Sequence, residues 1–140
     1  MAKTAAILIA RLIFAGVFAM AAGFKLAGME NTATQIASIG FPAPLLFAWV
    51  AALFEIALVI AFLTGAFFTE AALLAAAYVL FLGVAFYGPS KWTDDPMMFG
   101  FFVDHFVFIA GLLYAAVHGP GERLAVRRGL IWRQETAGEA

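Results

Sequence analysis

The chain contains no cysteine, which excludes disulfide exchange, thiolate nucleophiles, iron-sulfur ligation and thiolate zinc. Charge is scarce as well: 12% of the 140 residues are charged, against about a quarter in a soluble domain. Eight Lys and Arg stand against nine Asp and Glu, a net charge of -1, which excludes a nucleic-acid binder or a polybasic module. Histidine occurs only twice, as His105 and His118. Both fall on one expected helix, roughly 20 Å apart and on different faces, so they cannot be the two axial ligands of one haem. Asp104 and His105 are adjacent, hence point about 100° apart on a helix, and lack a third ligand, so no metal site is expected. No phosphate loop, dinucleotide fingerprint or nucleophile-base pair is present. Any redox role must therefore use a non-covalent cofactor or a partner.

What the chain has in abundance is apolar surface. It is 65% hydrophobic with a mean hydropathy of +0.99, which places it in a bilayer. Four apolar runs, 5–28, 43–64, 70–88 and 96–118, are each long enough to span roughly 30 Å of hydrocarbon. The expected fold is all-α integral membrane: a four-transmembrane-helix bundle over 1–120, then a basic cytoplasmic tail over 121–140. Arg11 within the first run argues against a cleaved leader, whose apolar stretch is normally uncharged.

Local signals set the boundaries. Pro44 suits a first helical turn, Thr69 is placed to cap the third span with Glu70 on its dipole, and Asp95-Pro96 opens the fourth. The short linker near Gly65–Phe68 forces spans two and three to be antiparallel neighbours. Thr32 and Gln35 have capping-box spacing, so a short surface helix is expected between spans one and two, closed by Gly40-Phe41-Pro42. Trp92 reads as an interfacial anchor, and the stripe Phe99, Phe102, Phe106 as packing or lipid contact. Small residues on span one (Ala15, Gly16, Ala19, Ala22, Gly23, Ala27) and span three (Ala71, Ala72, Ala75, Ala76, Ala77) permit close helix contact.

With four spans both termini share one side, which carries Lys3, Arg123, Arg127, Arg128 and Arg133, against Lys25 and Lys91 on the other. The positive-inside bias puts both termini in the cytoplasm. Residues 121–134 read either as a helix on the inner leaflet, dipping Leu130, Ile131 and Trp132 into lipid, or as a partly ordered tail.

Arg11, Lys25, Glu55, Asp104 and His105 fall in or near the hydrocarbon, where a central charge costs at least about 2.5 to 3.5 kcal/mol. They are expected to face inward as a candidate polar site. Arg11, Phe18, Ala22 and Lys25 share one stripe of the first span. Arg11 lies about 9 Å and Glu55 about 13 Å from the inner ends of their spans at 1.5 Å per residue, which suggests an Arg11–Glu55 pair. If spans one and four run side by side, Lys25 comes level with Asp104, giving a second pair with His105 beside it. Lys25 alternatively snorkels to the surface, and both pairs alternatively serve packing alone.

The order Arg11-Leu12, Gly16, Phe18 and Gly23-Phe24-Lys25-Leu26, then Gly40-Phe41-Pro42, Glu55, Leu63-Thr64-Gly65 and Gly119-Pro120-Gly121 resembles the DoxX family of small four-span bacterial membrane proteins, over roughly residues 8–125. The chain departs from that pattern at its end, reading Glu122-Arg123-Leu124-Ala125-Val126 where members often have Ser-x-Asp. The resemblance implies membrane subunits akin to those of a thiosulfate:quinone oxidoreductase, and association with membrane redox complexes. The expected role is a quinone-facing or anchoring subunit in the bacterial inner membrane. If the chain takes part in catalysis, it does so as an oxidoreductase subunit acting on a quinone. Arg11 and Glu55 would then hold a polar head, and Asp104 with His105 would relay protons, a task for which imidazole is suited because it titrates near neutral pH. The expected partners are the bilayer, a protein of the redox complex and further copies of the chain. The rival reading is a non-catalytic scaffold whose basic tail recruits a soluble partner.

Overall fold

A computed structural model describes residues 2–126 and 129–131. Helix α1 runs over Ala2–Ala27, α2 over Met29–Ser38, α3 over Pro44–Thr64, α4 over Phe68–Tyr87 and α5 over Met97–His118, with a single 3-10 turn at Pro89–Lys91. The fold is a four-helix membrane bundle: α1, α3, α4 and α5 are each long and apolar enough to cross a bilayer. The shortest of them, α4 with 20 residues, spans about 30 Å at 1.5 Å per residue. Leu, Phe, Val and Ile side chains cover the outer faces, as lipid contact requires.

Helix α1 packs on α3 and α4 packs on α5, with α3 against α4 across the short linker Gly65–Phe67. The backbones of α1 and α5 do not approach closely; rings bridge them in the bundle centre, with Phe108 5.6 Å from Phe14 and 5.7 Å from Phe18. The alanine face of α4 does bring helices close, with Ala71, Ala72, Ala75 and Ala76 buried, while Ala77 points outward. On α1 only Ala15 and Ala22 of the small residues are buried. Gly16, Ala19, Gly23 and Ala27 face outward, because the stripe that carries Arg11, Phe18 and Ala22 takes the core.

Two expected caps are used differently. Helix α2 follows α1 after the single residue Gly28, and the Thr32 hydroxyl bonds back to the Gly28 carbonyl at 3.2 Å instead of forming a capping box. Thr69 lies within α4, which starts at Phe68, and its hydroxyl donates to the Ala116 carbonyl of α5 at 3.0 Å. That bond ties two spans by satisfying a C-terminal carbonyl. The Asp95 carboxylate does accept the Met97 N–H at 2.9 Å and starts α5. Trp92 packs on Phe99 and Phe102 with its indole N–H on the Tyr87 carbonyl.

The chain does not leave the bundle at Pro120. Residues 121–126 are non-helical and fold back, the Val126 N–H donating to the Thr64 carbonyl at 2.7 Å. Gly65, at φ +75, ends α3; a Cβ there would lie 2.9 Å from the Ala125 Cβ, so glycine is needed for both the left-handed turn and the close passage of the tail. Further on, Glu70 accepts the Leu130 and Ile131 N–H groups. An inner-leaflet helix is absent over 121–126. Arg127, Arg128, Trp132 and Arg133 lie outside the described residues.

Candidate functional site

The ionisable residues form two centres at opposite levels of the bundle. Arg11 is buried near the end of the bundle where α3 and α5 finish, at 2% exposure, and its partner is not Glu55. All five of its N–H donors go to backbone carbonyls: Nε to Phe62 at 3.0 Å, one terminal nitrogen to Pro120 and Arg123 at 3.1 Å each, the other to Leu63 at 2.8 Å and Leu124 at 3.0 Å. A helix leaves its last four carbonyls without intrahelical donors. In α3, Ala61 is capped by the Gly65 N–H, Phe62 and Leu63 by Arg11, and Thr64 by the Val126 N–H. The expected Arg11–Glu55 pair fails because these acceptors lie level with the guanidinium, and a cation at a helix C-terminus is further favoured by the dipole. Arg11 is a clamp holding the 120–124 segment on α3.

The second centre is built on Glu55, 1% exposed. Its Oε1 accepts the Lys25 ammonium at 2.8 Å and the Tyr78 hydroxyl at 2.8 Å, while its buried Oε2 has no hydrogen-bond partner among the described residues. Lys25 thus turns inward from α1 instead of snorkelling outward, and it does not reach Asp104. Glu55 comes from α3 and Tyr78 from α4, so one carboxylate oxygen ties three spans. Phe54 holds the Tyr78 ring edge-on at 5.2 Å.

Asp104 is exposed on the outside of α5. The expected Lys25–Asp104 pair does not form because α5 lies beside α4 and not beside α1. His105, the next residue and so about 100° round the helix, faces inward instead. Its ring fits over Gly83, where an added Cβ would come 3.1 Å from the His105 Cβ, and packs 5.0 Å from the Tyr87 ring. The His105 Nδ1 lies 2.7 Å from the Phe101 carbonyl. A carbonyl can only accept, so Nδ1 carries the proton and Nε2 remains an acceptor.

Lys25, Tyr78 and His105 line one cavity of about 430 Å³ between α2, α3 and α4. This is within the roughly 300–1,000 Å³ of small-molecule sites. Phe47, Phe54, Phe81 and Phe86 supply its apolar wall, and Gln35 and Ile36 of the short helix α2 cover it. Phe41, in the turn after α2, packs at 5.0 Å on Phe47 and 5.7 Å on Phe81, closing the wall. Chemically the cavity offers a flat apolar slot, an ammonium with N–H groups to spare and an imidazole acceptor. Among the described residues no three His, Asp or Glu cluster for a metal.

The DoxX family model matches residues 6–88, more than half of the chain. The chain belongs to the DoxX family. No curated protein and no solved structure matches it. The DoxX match covers α1 to α4 and so includes Arg11, Lys25, Glu55 and Tyr78, whereas Asp104 and His105 lie beyond it. Of the five residues expected to form the polar site, this DoxX protein brings Lys25 and Glu55 into contact, places His105 in the same cavity, and sets Arg11 and Asp104 apart. Tyr78 was not anticipated from the sequence. Its signal was a polar-tipped aromatic at the middle of an alanine-rich span, where a hydroxyl must find a partner.

Proposed function

We propose that this DoxX protein is an inner-membrane subunit of a redox system, with both termini cytoplasmic, that takes the head of a lipophilic quinone into the cavity beside Lys25, Tyr78 and His105. The observation that carries the reading is the convergence of those three polar side chains in an otherwise aromatic cavity at membrane depth. A quinone head is a flat ring that suits the aromatic walls, with one carbonyl to accept from the Lys25 ammonium and, once the ring is reduced, a hydroxyl to donate to the His105 acceptor. When bound, a quinone supplies the two-electron, two-proton carrier, and the electrons come from a partner oxidoreductase.

The residues of the chain then divide the work. The Lys25 ammonium has three N–H groups, of which one is used on Glu55, and the others donate to a ring carbonyl. Glu55 positions Lys25 and Tyr78 and keeps the ammonium from turning outward. The His105 Nε2 accepts a hydrogen bond from a hydroxyl of the reduced ring and so holds the quinol form in place. Asp104 does not enter this account. Helix α2 excludes lipid tails and water from above.

Photolabelling tests the reading. The protein in nanodiscs, illuminated with an azidoquinone, is expected to carry label on peptides spanning α2 and the outer halves of α3 and α4, and excess unlabelled quinone should remove it. Label distributed over the lipid-facing surface and insensitive to competitor would overturn the proposal.

A further inference from the structure

A second cavity, of about 320 Å³, lies at the other end of the bundle between α1 and α5. It exists because the backbones of these two helices stay apart, bridged by the Phe14 and Phe18 rings, which reach Phe108 and, from Phe14, Gly111. Ala6, Ala10, Phe14, Phe68 and Ala115 give it apolar walls. Its polar lining is Lys3 and His118, from the ends of α1 and α5, with Arg11 and Tyr114. A groove of this kind within a bilayer is filled by hydrocarbon, since neither water nor soluble ligand is available at that depth. What remains to be decided is which headgroup sits at its mouth.

The charges there point one way. Lys3 forms no hydrogen bond or ion pair among the described residues. Behind it, Arg11 is a buried cation whose five donors are all taken by neutral carbonyls, so its hydrogen bonds are satisfied while its charge is not neutralised by a carboxylate. The carboxylates at this end, Glu70 of α4 and Glu122 in the segment that Arg11 clamps, do not line the slot, whereas Lys3 and Arg11 do. His118 bonds through Nδ1 to the Tyr114 carbonyl at 2.9 Å and stacks on the Tyr114 ring at 4.3 Å. Its Nε2 is therefore the nitrogen left to meet a ligand. Basic pockets between spanning helices at the cytoplasmic side suit anionic lipid heads.

We infer that this slot is a binding site for an anionic phospholipid, one acyl chain lying against Ala6, Ala10 and Phe14 and the phosphate held by Lys3 and His118. The site is separate from the quinone cavity, and the inference takes from the proposed function only the cytoplasmic placement of this end. A lipid seated here fills the gap between α1 and α5 and neutralises the field of the Arg11 clamp.

The test is competitive retention. The full chain is reconstituted into nanodiscs of phosphatidylglycerol and phosphatidylcholine in equal amounts with identical acyl chains. It is then released into gentle detergent, and the bound lipid is counted by native mass spectrometry. The wild type is expected to retain phosphatidylglycerol at least several-fold over phosphatidylcholine. Lys3→Gln with His118→Gln, both at exposed positions, should abolish that preference without lowering the melting temperature, and Ala10→Phe, which fills the slot, should reduce retention of both lipids. Equal retention by the wild type, or an unchanged preference in the double variant, would overturn the inference.

Discussion

Removing the Lys25 ammonium tests the polar centre most sharply. In Lys25→Met the Glu55 carboxylate, 1% exposed, keeps only the Tyr78 hydroxyl. Breaking a buried ion pair costs about 3–5 kcal/mol. The lower end, about 3 kcal/mol, applies here because the Lys25 side chain retains 19% exposure and the pair is partly screened already. Tyr78→Phe removes one interhelical hydrogen bond, which in a bilayer is worth about 0.6 kcal/mol on average. The ion pair should therefore outweigh the hydroxyl several-fold, although both reach Glu55 at the same 2.8 Å. In a Tyr78→Phe background, so that no buried hydroxyl loses its acceptor, the compensating variant Lys25→Met/Glu55→Leu removes both charges and keeps the volume, and such apolar replacements are often neutral or better. It should unfold within about 1 kcal/mol of the wild type. The assay is reversible unfolding by SDS in mixed micelles, followed by the loss of helix signal. A Lys25→Met variant as stable as the wild type, or a compensating variant worse than Lys25→Met, would refute the reasoning.

Further outcomes follow from the inner clamp and the helix contacts. Arg11→Lys supplies three donors where five are used, so the Val126 amide, bonded to Thr64 at 2.7 Å, should exchange faster with deuterium, while Lys25→Met leaves that amide protected. Gly65→Ala introduces a left-handed alanine, about 1–2 kcal/mol, and a Cβ 2.9 Å from Ala125, and should raise proteolysis after residue 121 together with that exchange. Gly83→Leu should push His105 off α4 and weaken azidoquinone labelling while leaving the phosphatidylglycerol preference intact; labelling at the wild-type level would remove His105 from the cavity's chemistry.

The spans were legible because twenty apolar residues in a row report directly on the bilayer, whatever the helices do next. The inward stripe of Arg11, Phe18, Ala22 and Lys25 was legible for the same kind of reason, since helical periodicity is a property of the chain alone. Partners were not. Arg11 was matched to Glu55 by residue type and depth, and both are blind to backbone carbonyls, five of which meet the guanidinium. The Lys25–Asp104 pair assumed that α1 and α5 are neighbours; the alanine face of α4 draws α5 instead, which turns His105 in and Asp104 out. Thr69 matched a cap pattern, yet the helix starts one residue before it, and the hydroxyl finds a carbonyl on another span. In each case the local rule was right about what the group needs and silent about which element would supply it.

The central claim is that the cavity between α2, α3 and α4 holds a quinone head. Its most direct measurement is the quinone content of protein purified gently from its own membranes, quantified by mass spectrometry for the wild type and for Ala51→Phe, a change at an α3 residue that lines that cavity. The account predicts stoichiometric quinone in the wild type and its loss from Ala51→Phe, with the fold and the bound phosphatidylglycerol unchanged. Quinone absent from the wild type, or retained equally by Ala51→Phe, would contradict it.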